Sequence, residues 1–511
     1  MKKSNLFLFS ILQLFKASYY CWESRIKNPI RSKNFYVLIP SVLPINHTLI
    51  QLPLILSAYR SGLRIKIYLT LREPQSLIYY FFLGVTSFYF INNPFEKTSS
   101  DYKNKNFKEL ELNKYYEASF KRVFKLDSLN NSNKDHLNFM SKTEKSNIRI
   151  LKALTKLNFK KIRSIFFTDT VYVPQGPIYE YIKKYQPKIY TLTYNVGHLD
   201  NTLVINELTK SDQYRHPYIP EKNKFMEFKK ENKKYISEIH KNIIRKLENF
   251  YIDKHWFPIC GTSDYCEDQN IALENKINKI RESNQIITIF PHIYWDAAGF
   301  YGKSVFPNFK IWLEESIVLI LKNTKEKIIV KDHPANLSKL NLKSNSFESS
   351  VERFISQLNN EDRERIIYLP PNTNFSTIKL LKLSDLVLTV RGTVAAEAAL
   401  YRKKVILGGT GKYDYIEIAS SSTQKNDYIF KLKKALKSSQ LETTVHFNAA
   451  LYLKCLWEEM TYYTKIINFK FIKVENHHQP KTIFQQKFIN SKEIDKLSKW
   501  LLKPNVTFNN N

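Results

Sequence analysis

The segment SDLVLTVRGTVAAEAALYRKKVILGG, residues 384–409, predicts an α/β fold. It contains an apolar strand at Leu386–Val390, a helix at Val394–Tyr401 and a second strand at Lys404–Leu407. A strand, a short helix and another apolar strand in this order are typical of neighbouring parallel strands in a sheet. The segment therefore predicts one βαβ unit, and the rest of the chain can be compared with it.

The same alternation extends upstream from this segment. Strand patterns at Gln285–Pro291, Lys327–Lys331 and Arg365–Leu369 are separated by helical patterns, which predicts a doubly wound domain. An earlier series begins with strands at Phe35–Pro40 and Arg64–Leu71. We therefore predict an α/β fold with two Rossmann-like domains that face each other across a cleft, followed by C-terminal helices.

Four segments are predicted along the chain. They are an N-terminal helix over residues 1–34, a Rossmann-like domain with helical insertions over 35–270, a second Rossmann-like domain over 271–440, and C-terminal helices with a polar tail over 441–511.

The N-terminal helix has an apolar core, Leu6–Phe15, that is too short to span a bilayer. No small-residue cleavage site follows it, which argues against a signal peptide. Two interpretations stay open: an amphipathic helix that lies on a membrane surface with Lys2, Lys3 and Lys16 at its flanks, or an ordinary first helix packed on its domain. The aromatic run Leu77–Phe90 is predicted to form a buried strand pair. We expect a cytoplasmic protein, or one that is peripheral on the inner face of the cytoplasmic membrane.

Composition favours anionic partners but does not point to nucleic acid. The 511 residues include 79 Lys and Arg against 47 Asp and Glu, a formal net charge of +32. The surplus is spread along the chain, as expected of a solvated surface rather than one binding patch. Zinc-finger, RRM and homeodomain signatures are absent from the sequence. The four cysteines lack the spacing of a redox or zinc motif, which indicates a reducing compartment.

Polar side chains follow the predicted strand Lys327–Lys331. Pro334 biases His333 toward an extended conformation at the carboxyl edge of the sheet, where ligands of open α/β folds bind. His333 could there donate to a phosphate, with Lys331 next to it. The alternative is a structural histidine.

A second candidate site follows the strand Leu386–Val390. Gly392 permits a tight turn, Thr393 is a good N-cap, and the helix N-terminus attracts anions. We expect Arg391, Gly392 and Thr393 to contact a phosphate and Glu397 to reach ribose hydroxyls. The alternative is a well-capped packing helix with one exposed carboxylate.

Two further loops follow strands of the same domain. Gly408-Gly409-Thr410-Gly411-Lys412 is not a Walker A motif, since Ile406 and Tyr413 occupy required positions, and we predict a flexible loop that closes on a ligand. The cluster after Pro291, HIYWDAAG, could stack a base or contact a sugar, or could form a cleft wall with a structural tryptophan.

His333-Pro334, residues 384–409 and the motif PHIYWDAAG resemble the C-terminal half of GT-B glycosyltransferases of bacterial surface polysaccharides. The nearest likeness is to capsule polysaccharide biosynthesis proteins, and it covers roughly Gln285 to Tyr415. The resemblance implies a GT-B-like fold in which 35–270 is the acceptor domain and 271–440 the nucleotide-sugar donor domain. In relatives with CMP- or CDP-activated donors, the HP histidine binds the donor phosphate, a Ser or Thr assists it, and a Glu contacts the ribose. These roles match His333, Thr393 and Glu397.

The function predicted is a metal-independent GT-B glycosyltransferase. It would transfer a sugar from a CMP-, CDP- or UDP-linked donor to a growing surface or capsular polysaccharide or glycolipid. The nucleotide sugar is a substrate, and no cofactor and no metal are expected. Donor contacts are assigned to Lys331, His333, Arg391, Gly392, Thr393, Glu397, Gly408 and Gly409.

The catalytic base is open, because the acidic motif of sialyltransferase-like relatives is missing. His47 and Asp169 follow strands of the first domain, and Asp296 lies on the donor side; all three are candidates. The alternatives to this function are a polyol-phosphate transferase of the teichoic-acid type, a nucleotide-sugar 2-epimerase on the same fold, and a nucleic-acid-binding protein.

Overall fold

The computed structural model describes residues 2–28, 36–41, 45–69, 75–90, 107, 109–126, 134–208, 218–252, 271–297, 299–336, 350–371, 373, 375–437, 444–474 and 477–503. The chain divides into two compact units. The first comprises Met1–Phe120, Asn130–Gln213 and Trp457–Asn511, and the second comprises Lys121–Leu129 and Tyr214–Leu456. The four segments 1–34, 35–270, 271–440 and 441–511 stay predictions. The two units divide the chain differently, because the C-terminal residues Trp457–Asn511 belong to the first unit.

The sheet of the first unit has seven strands within the described part of the chain. They are β1 Tyr36–Ser41, β2 Arg64–Leu69, β3 Ser87–Phe90, β4 Ile162–Phe167, β5 Tyr190–Val196, β6 Thr202–Glu207 and β12 Tyr462–Tyr463. Their order is β3-β2-β1-β4-β5-β6-β12, and β6 is antiparallel to both of its neighbours. The first six follow the Rossmann order, with the topological switch between β1 and β4.

The sheet of the second unit has five strands among the described residues, all parallel. They are β7 Ile286–Ile289, β8 Lys327–Lys331, β9 Ile366–Leu369, β10 Leu386–Thr389 and β11 Lys404–Leu407. The order β11-β10-β7-β8-β9 places the topological switch between β7 and β10. The strands read almost entirely apolar because helices cover both faces of a parallel sheet. The predicted α/β class with two Rossmann-like sheets is confirmed.

Eighteen α-helices of four or more residues accompany these sheets in the described ranges. Those of the first half are α1 Lys3–Lys27, α2 Ile45–Thr48, α3 Leu52–Arg60, α4 Gln75–Phe82, α5 Asn113–Phe124, α6 Lys134–Thr155, α7 Gln175–Tyr185, α8 Lys222–Asn232 and α9 Ile236–Ile252. The others are α10 Ile271–Arg281, α11 Phe309–Asn323, α12 Ser350–Ser356, α13 Asn360–Glu364, α14 Thr377–Leu383, α15 Val394–Leu400, α16 Lys425–Lys437, α17 Val445–Lys454 and α18 Lys492–Leu502.

The core of the second unit is packed around Trp312 of α11. Its indole Nε1 donates to the Tyr428 hydroxyl over 3.0 Å, and both side chains are buried. The Ser316 hydroxyl lies 2.7 Å from the same Tyr428 oxygen, so the polar atoms of these three side chains are satisfied. This packing fixes α11 beneath the loop that follows β11.

Two segments differ from the sequence prediction. Leu77–Phe90 is not a strand pair: α4 ends before Gly84, whose φ of +79° turns the chain into β3. A short aromatic run fits a buried helix as well as a strand, so the periodicity of the sequence could not distinguish the two.

The predicted polar tail contains a hairpin, β13 Ile467–Val474 with β14 His477–Phe484, followed by α18. Residues Ile467–Phe471 alternate apolar and polar side chains, which is the pattern of a half-buried strand, so the sequence carried this signal.

Among the helices that the structure describes, none has the length and hydropathy needed to cross a membrane.

Candidate functional site

The carboxyl edge of the second sheet gathers basic side chains from four adjacent strands. Lys412 follows β11, Arg391 follows β10, His292 follows β7, and Lys331 and His333 stand at the end of β8. Ligands of doubly wound sheets bind at this edge, beside the switch between β7 and β10. These basic side chains come from four different strands, so their grouping is produced by the fold.

His333 is held by the turn that follows β8. The backbone N–H of Ala335 donates to His333 Nδ1 over 3.1 Å. The backbone N–H of His333 itself donates to Asp332 Oδ1 over 2.7 Å. Burial lowers the pKa of His333 to about 4; Asp296 opposes this shift and Lys331 adds to it. A neutral ring that accepts at Nδ1 carries its proton on Nε2, where it can donate to a ligand.

Asp332 is the anchor of this turn. It is 1% exposed, and its Oδ1 accepts from the Asn336 side-chain amide as well as from the His333 N–H. Its Oδ2 accepts from the Tyr368 hydroxyl of β9 over 3.0 Å. A buried carboxylate that accepts three hydrogen bonds is held in one orientation. Asp332 therefore positions the His333 turn, and its oxygens are occupied by these donors.

Lys331 is buried beside a carboxylate. Its ammonium donates to the Phe375 carbonyl over 2.5 Å. Burial lowers the pKa of Lys331 to about 8, while the charge of Glu397 opposes the shift. Glu397 of α15 is itself only 1% exposed, so the alternative of an exposed carboxylate is wrong. The predicted ribose contact of Glu397 stays a prediction.

Arg391 joins two loops at the edge of the site. Its Nε donates to the Thr410 carbonyl over 2.8 Å and its Nη2 to the Ser304 hydroxyl over 3.2 Å. Its guanidinium carbon lies 5.9 Å from the centre of the Phe309 ring. The Arg391 side chain is buried, and burial lowers its pKa to about 10. It therefore remains charged at neutral pH inside the protein.

The glycine-rich loop after β11 is paired with residues 301–305. Thr410 N donates to the Lys303 carbonyl over 2.8 Å, and Val305 N to the Gly408 carbonyl over 3.1 Å. A Cβ on Gly409 would lie 2.5 Å from the Lys303 oxygen. A Cβ on Gly408 would lie 2.4 Å from Trp312 Nε1. Close packing thus explains why both positions are glycine. The sequence predicted a flexible loop that closes on a ligand, whereas in the structure the loop is hydrogen-bonded to residues 301–305. The ligand contacts of Gly408 and Gly409 stay predictions.

Lys412 and His292 complete the basic group. The side chain of Lys412 is 3% exposed. Burial lowers the pKa of His292 to about 3; Asp296 opposes the shift, and the charges of Arg391, His333 and Lys412 add to it. His292 also packs edge-on against Phe309, with ring centres 4.8 Å apart. We name these five basic residues, Lys331, His333, Arg391, Lys412 and His292, the basic cluster.

The turn between β10 and α15 differs from its prediction in one respect. A Cβ on Gly392 would lie 2.9 Å from Thr389 Oγ1, so the tight turn does require glycine. Thr393, however, has helical angles, φ −58° and ψ −28°, and its side chain makes no capping bond to the helix. Capping needs an extended residue at this position, which explains the difference. The phosphate contact expected of Thr393 stays a prediction.

The loop after β7 places Asp296 next to the basic cluster. Its carboxylate lies 3.3 Å from the Arg122 guanidinium, which also belongs to the second unit, and its side chain is 44% exposed. Tyr294 and Trp295 are buried in the apolar core. Their burial fits the structural alternative for this loop better than base stacking.

The other two candidate bases lie in the first unit. His47 is in α2, after β1, and burial lowers its pKa to about 4. Asp169 follows β4, and its Oδ1 accepts the Val171 N–H over 2.7 Å in an Asx turn. Since β1 and β4 are adjacent, both residues follow the switch point of the first sheet. The catalytic roles of His47, Asp169 and Asp296 stay predictions.

Two members of the basic cluster are not among the residues predicted from the sequence. Both lie in loops that the sequence predicted to contact a ligand, His292 in HIYWDAAG and Lys412 in the glycine-rich run after β11, but neither was assigned as a donor contact. The rule that ligands bind at strand carboxyl ends could have found both, because each follows a predicted strand.

No family model and no curated protein sequence matches the chain. It is similar to Thermosulfurimonas dismutans KpsC, a beta Kdo 2,4 transferase, with 10% identity over 57% of this chain and 80% of that chain, at a TM-score of 0.31. It is similar to Anabaena Alr3699/HepE, in complex with UDP and glucose, with 10% identity over 83% and 95% at 0.29. It is also similar to the UDP-GlcNAc 2-epimerase of Neisseria meningitidis, with 10% identity over 82% and 97% at 0.26. TM-scores this low assign no activity, so the function has to be inferred from the chain's own residues.

Proposed function

We propose that this chain is a glycosyltransferase whose basic cluster binds the phosphates of a nucleotide-activated sugar. The acceptor in this proposal is a surface or capsular polysaccharide, or a glycolipid. The observation that carries it is the convergence of basic side chains from four adjacent strand ends at a topological switch. A phosphorylated ligand matches this charge, and the switch point is where doubly wound sheets bind nucleotides.

The basic cluster also suits the charge that develops during transfer. The bond from the anomeric carbon to the phosphate oxygen breaks, and its electron pair stays on the phosphate. Arg391, Lys412 and Lys331 present fixed positive charge there, and His333 presents an Nε2–H donor. Donors that are held in place before reaction stabilise such charge more than water does.

The acceptor hydroxyl forms the new bond to the anomeric carbon and must lose its proton to a base. Asp296 is adjacent to the cluster in the second unit, while His47 and Asp169 follow the switch point of the first sheet. Replacing each of the three in turn identifies the base by loss of turnover with donor binding retained.

Thermal shift with CMP, CDP, UDP and GDP tests the phosphate site. A ligand at a hundredfold excess over its Kd stabilises the folded state by about 2.7 kcal/mol. We expect stabilisation by at least one nucleotide in the wild type and a much smaller one in His333→Ala. Lys327→Ala is the matched control, because Lys327 lies at the opposite end of the same strand.

Turnover of the matching nucleotide sugar then distinguishes the enzyme classes. A glycosyltransferase releases nucleotide faster when a glycan or glycolipid acceptor is added. Conversion of the sugar nucleotide without acceptor would instead identify a 2-epimerase, and transfer of a polyol phosphate would identify the teichoic-acid type of enzyme. Absence of a shift with every nucleotide would remove the basis of the proposal.

A further inference from the structure

The N-terminal helix α1 is apolar on two opposite faces. One face, which includes Leu6, Leu14, Ala17 and Cys21, is buried in the first unit. Gln13 on this face accepts the backbone N–H of Phe484 in β14 over 3.0 Å, which ties the helix to the hairpin. The helix is therefore a packed part of the domain, as one of the two sequence interpretations predicted.

The opposite face carries a second apolar stripe whose side chains are mostly exposed. We name it the outer stripe; its members are Leu8, Leu12, Phe15, Tyr19, Trp22 and Ile26. All except the partly buried Trp22 are 53 to 76% exposed. Their spacing of four, three, four, three and four residues places them along one line of the helix. A helix that is apolar on two opposite faces and buried on only one of them leaves the other apolar face exposed.

Helix α4 widens this surface. Phe81 packs on Trp22 with ring centres 5.7 Å apart, and Phe82 packs on Phe15 at 4.9 Å. Ile78 and Phe81 are themselves more than half exposed. The surface is thus a two-helix apolar area rich in aromatic rings, rather than a narrow seam for one partner helix.

The charges around this surface are almost all positive. Across α1 and α4 a single acidic residue, Glu23, stands against four Lys and Arg, and Glu23 is paired with Lys27 at 2.6 Å. Lys2, Lys3 and Lys16 are exposed on the helix. The Lys481 ammonium of β14 lies 4.8 Å from the centre of the Phe9 ring. Apolar aromatic residues flanked by lysines are the composition of helices that lie in the interface of an anionic bilayer.

We propose that the outer stripe docks the first unit on an anionic lipid surface, with α1 parallel to the membrane plane. A second copy of the chain is the weaker alternative, because a two-fold contact through this face would bring the same lysines together. A coiled-coil seam would also need acidic partners at its flanks, and α1 offers only the paired Glu23. This inference does not depend on the nucleotide site.

Sedimentation with lipid vesicles tests the proposal. The full chain is mixed with phosphatidylcholine vesicles that contain about one third phosphatidylglycerol, and with vesicles of phosphatidylcholine alone. We expect preferential binding to the anionic vesicles, reduced about tenfold or more by the double variant Leu12→Ser/Tyr19→Ser. Phe430→Ser is the matched control, since Phe430 is 66% exposed on α16 of the other unit, and it should bind as the wild type does.

Charge and folding are checked separately. Lys3→Glu/Lys16→Glu should weaken binding to anionic vesicles and leave binding to neutral vesicles unchanged. Circular dichroism of the double serine variant should equal that of the wild type, because only exposed side chains change. Equal vesicle binding by the double serine variant and the wild type would overturn the proposal. So would a wild-type dimer in the ultracentrifuge that this variant converts to monomer.

Discussion

The backbone N–H of Ala335 donates to Nδ1 of His333 across 3.1 Å. This bond fixes the neutral tautomer of a histidine at the end of β8 and leaves Nε2 as its donor. A lone His-Pro pair in a sequence says little about protonation; the turn after the strand is what prepares this ring for an anionic ligand.

Replacement of His333 separates its donor function from its packing. His333→Ala removes the Nε2 donor, and a hydrogen bond to a charged group contributes about 1.5 to 3 kcal/mol. We expect nucleotide affinity to fall about tenfold or more, measured by titration calorimetry. His333→Gln places an amide N–H near the Nε2 position and should retain most of the affinity. Equal losses in the two variants would contradict a donor function.

Stability should fall as the solution becomes acidic. Burial lowers the pKa of His292 to about 3 and of His333 to about 4, whereas an unfolded histidine titrates near 6.5. Below about pH 6.5 the unfolded chain binds more protons than the folded one, so the free energy of unfolding decreases toward pH 4. Each histidine contributes at most about 1.4 kcal/mol per pH unit. Urea titrations between pH 6.5 and pH 4 should show that the free energy of unfolding depends less steeply on pH in His333→Gln than in the wild type. An unchanged dependence on pH would contradict a neutral His333 ring in the folded chain.

The pairing of the two glycine-containing loops should be sensitive to a single methyl group. Gly411 has φ +114°, and a Cβ there would lie 1.6 Å from the Tyr301 oxygen. Gly411→Ala must separate the loops and disturb the Arg391 bond to Thr410; we expect a loss of about 2 kcal/mol or more in the free energy of unfolding. Gly299→Ala is the control: its φ is +85°, but nothing lies within 4 Å of the added Cβ. If the two variants lose the same stability, strain at positive φ and not loop packing is the cause.

Lys331 and Glu397 should be coupled energetically. Lys331→Met removes a positive charge that acts on the buried Glu397 carboxylate, so we expect the free energy of unfolding to fall by about 1 kcal/mol or more. Glu397→Gln in the same chain should recover part of that loss, so the double-mutant cycle should give a clear interaction energy. Additive effects in denaturant titrations would show that the two side chains are independent.

The sequence predicted the second sheet closely because its strands are short apolar runs bounded by glycine, proline and helical patterns. The limits of β8 and β11 agree with the prediction residue for residue. Position at a strand end also led to Lys331, His333 and Arg391. Their place in the basic cluster depends on the order of the strands in the sheet, which no single segment encodes.

The features that the sequence did not predict depend on contacts between distant segments. The sequence left open whether Glu397 points to a ligand or to solvent; packing of α15 buries it near Lys331, so the exposed alternative is wrong. The glycines after β11 suggested a mobile loop, yet they are needed for close approach to residues 301–305 and Trp312. The sequence left open whether α1 lies on a membrane surface or packs on its domain, because an apolar helix does not reveal which of its faces will be covered.

The location of the phosphates in a crystal structure of the complex tests the central claim most directly. The crystal would contain the nucleotide that gives the largest thermal shift. We predict its phosphate oxygens within hydrogen-bond distance of His333 Nε2 and of at least one of Arg391, Lys412 and His292, at the carboxyl edge between β7 and β10. Phosphates bound away from the basic cluster, or at the amino ends of these strands, would contradict the claim.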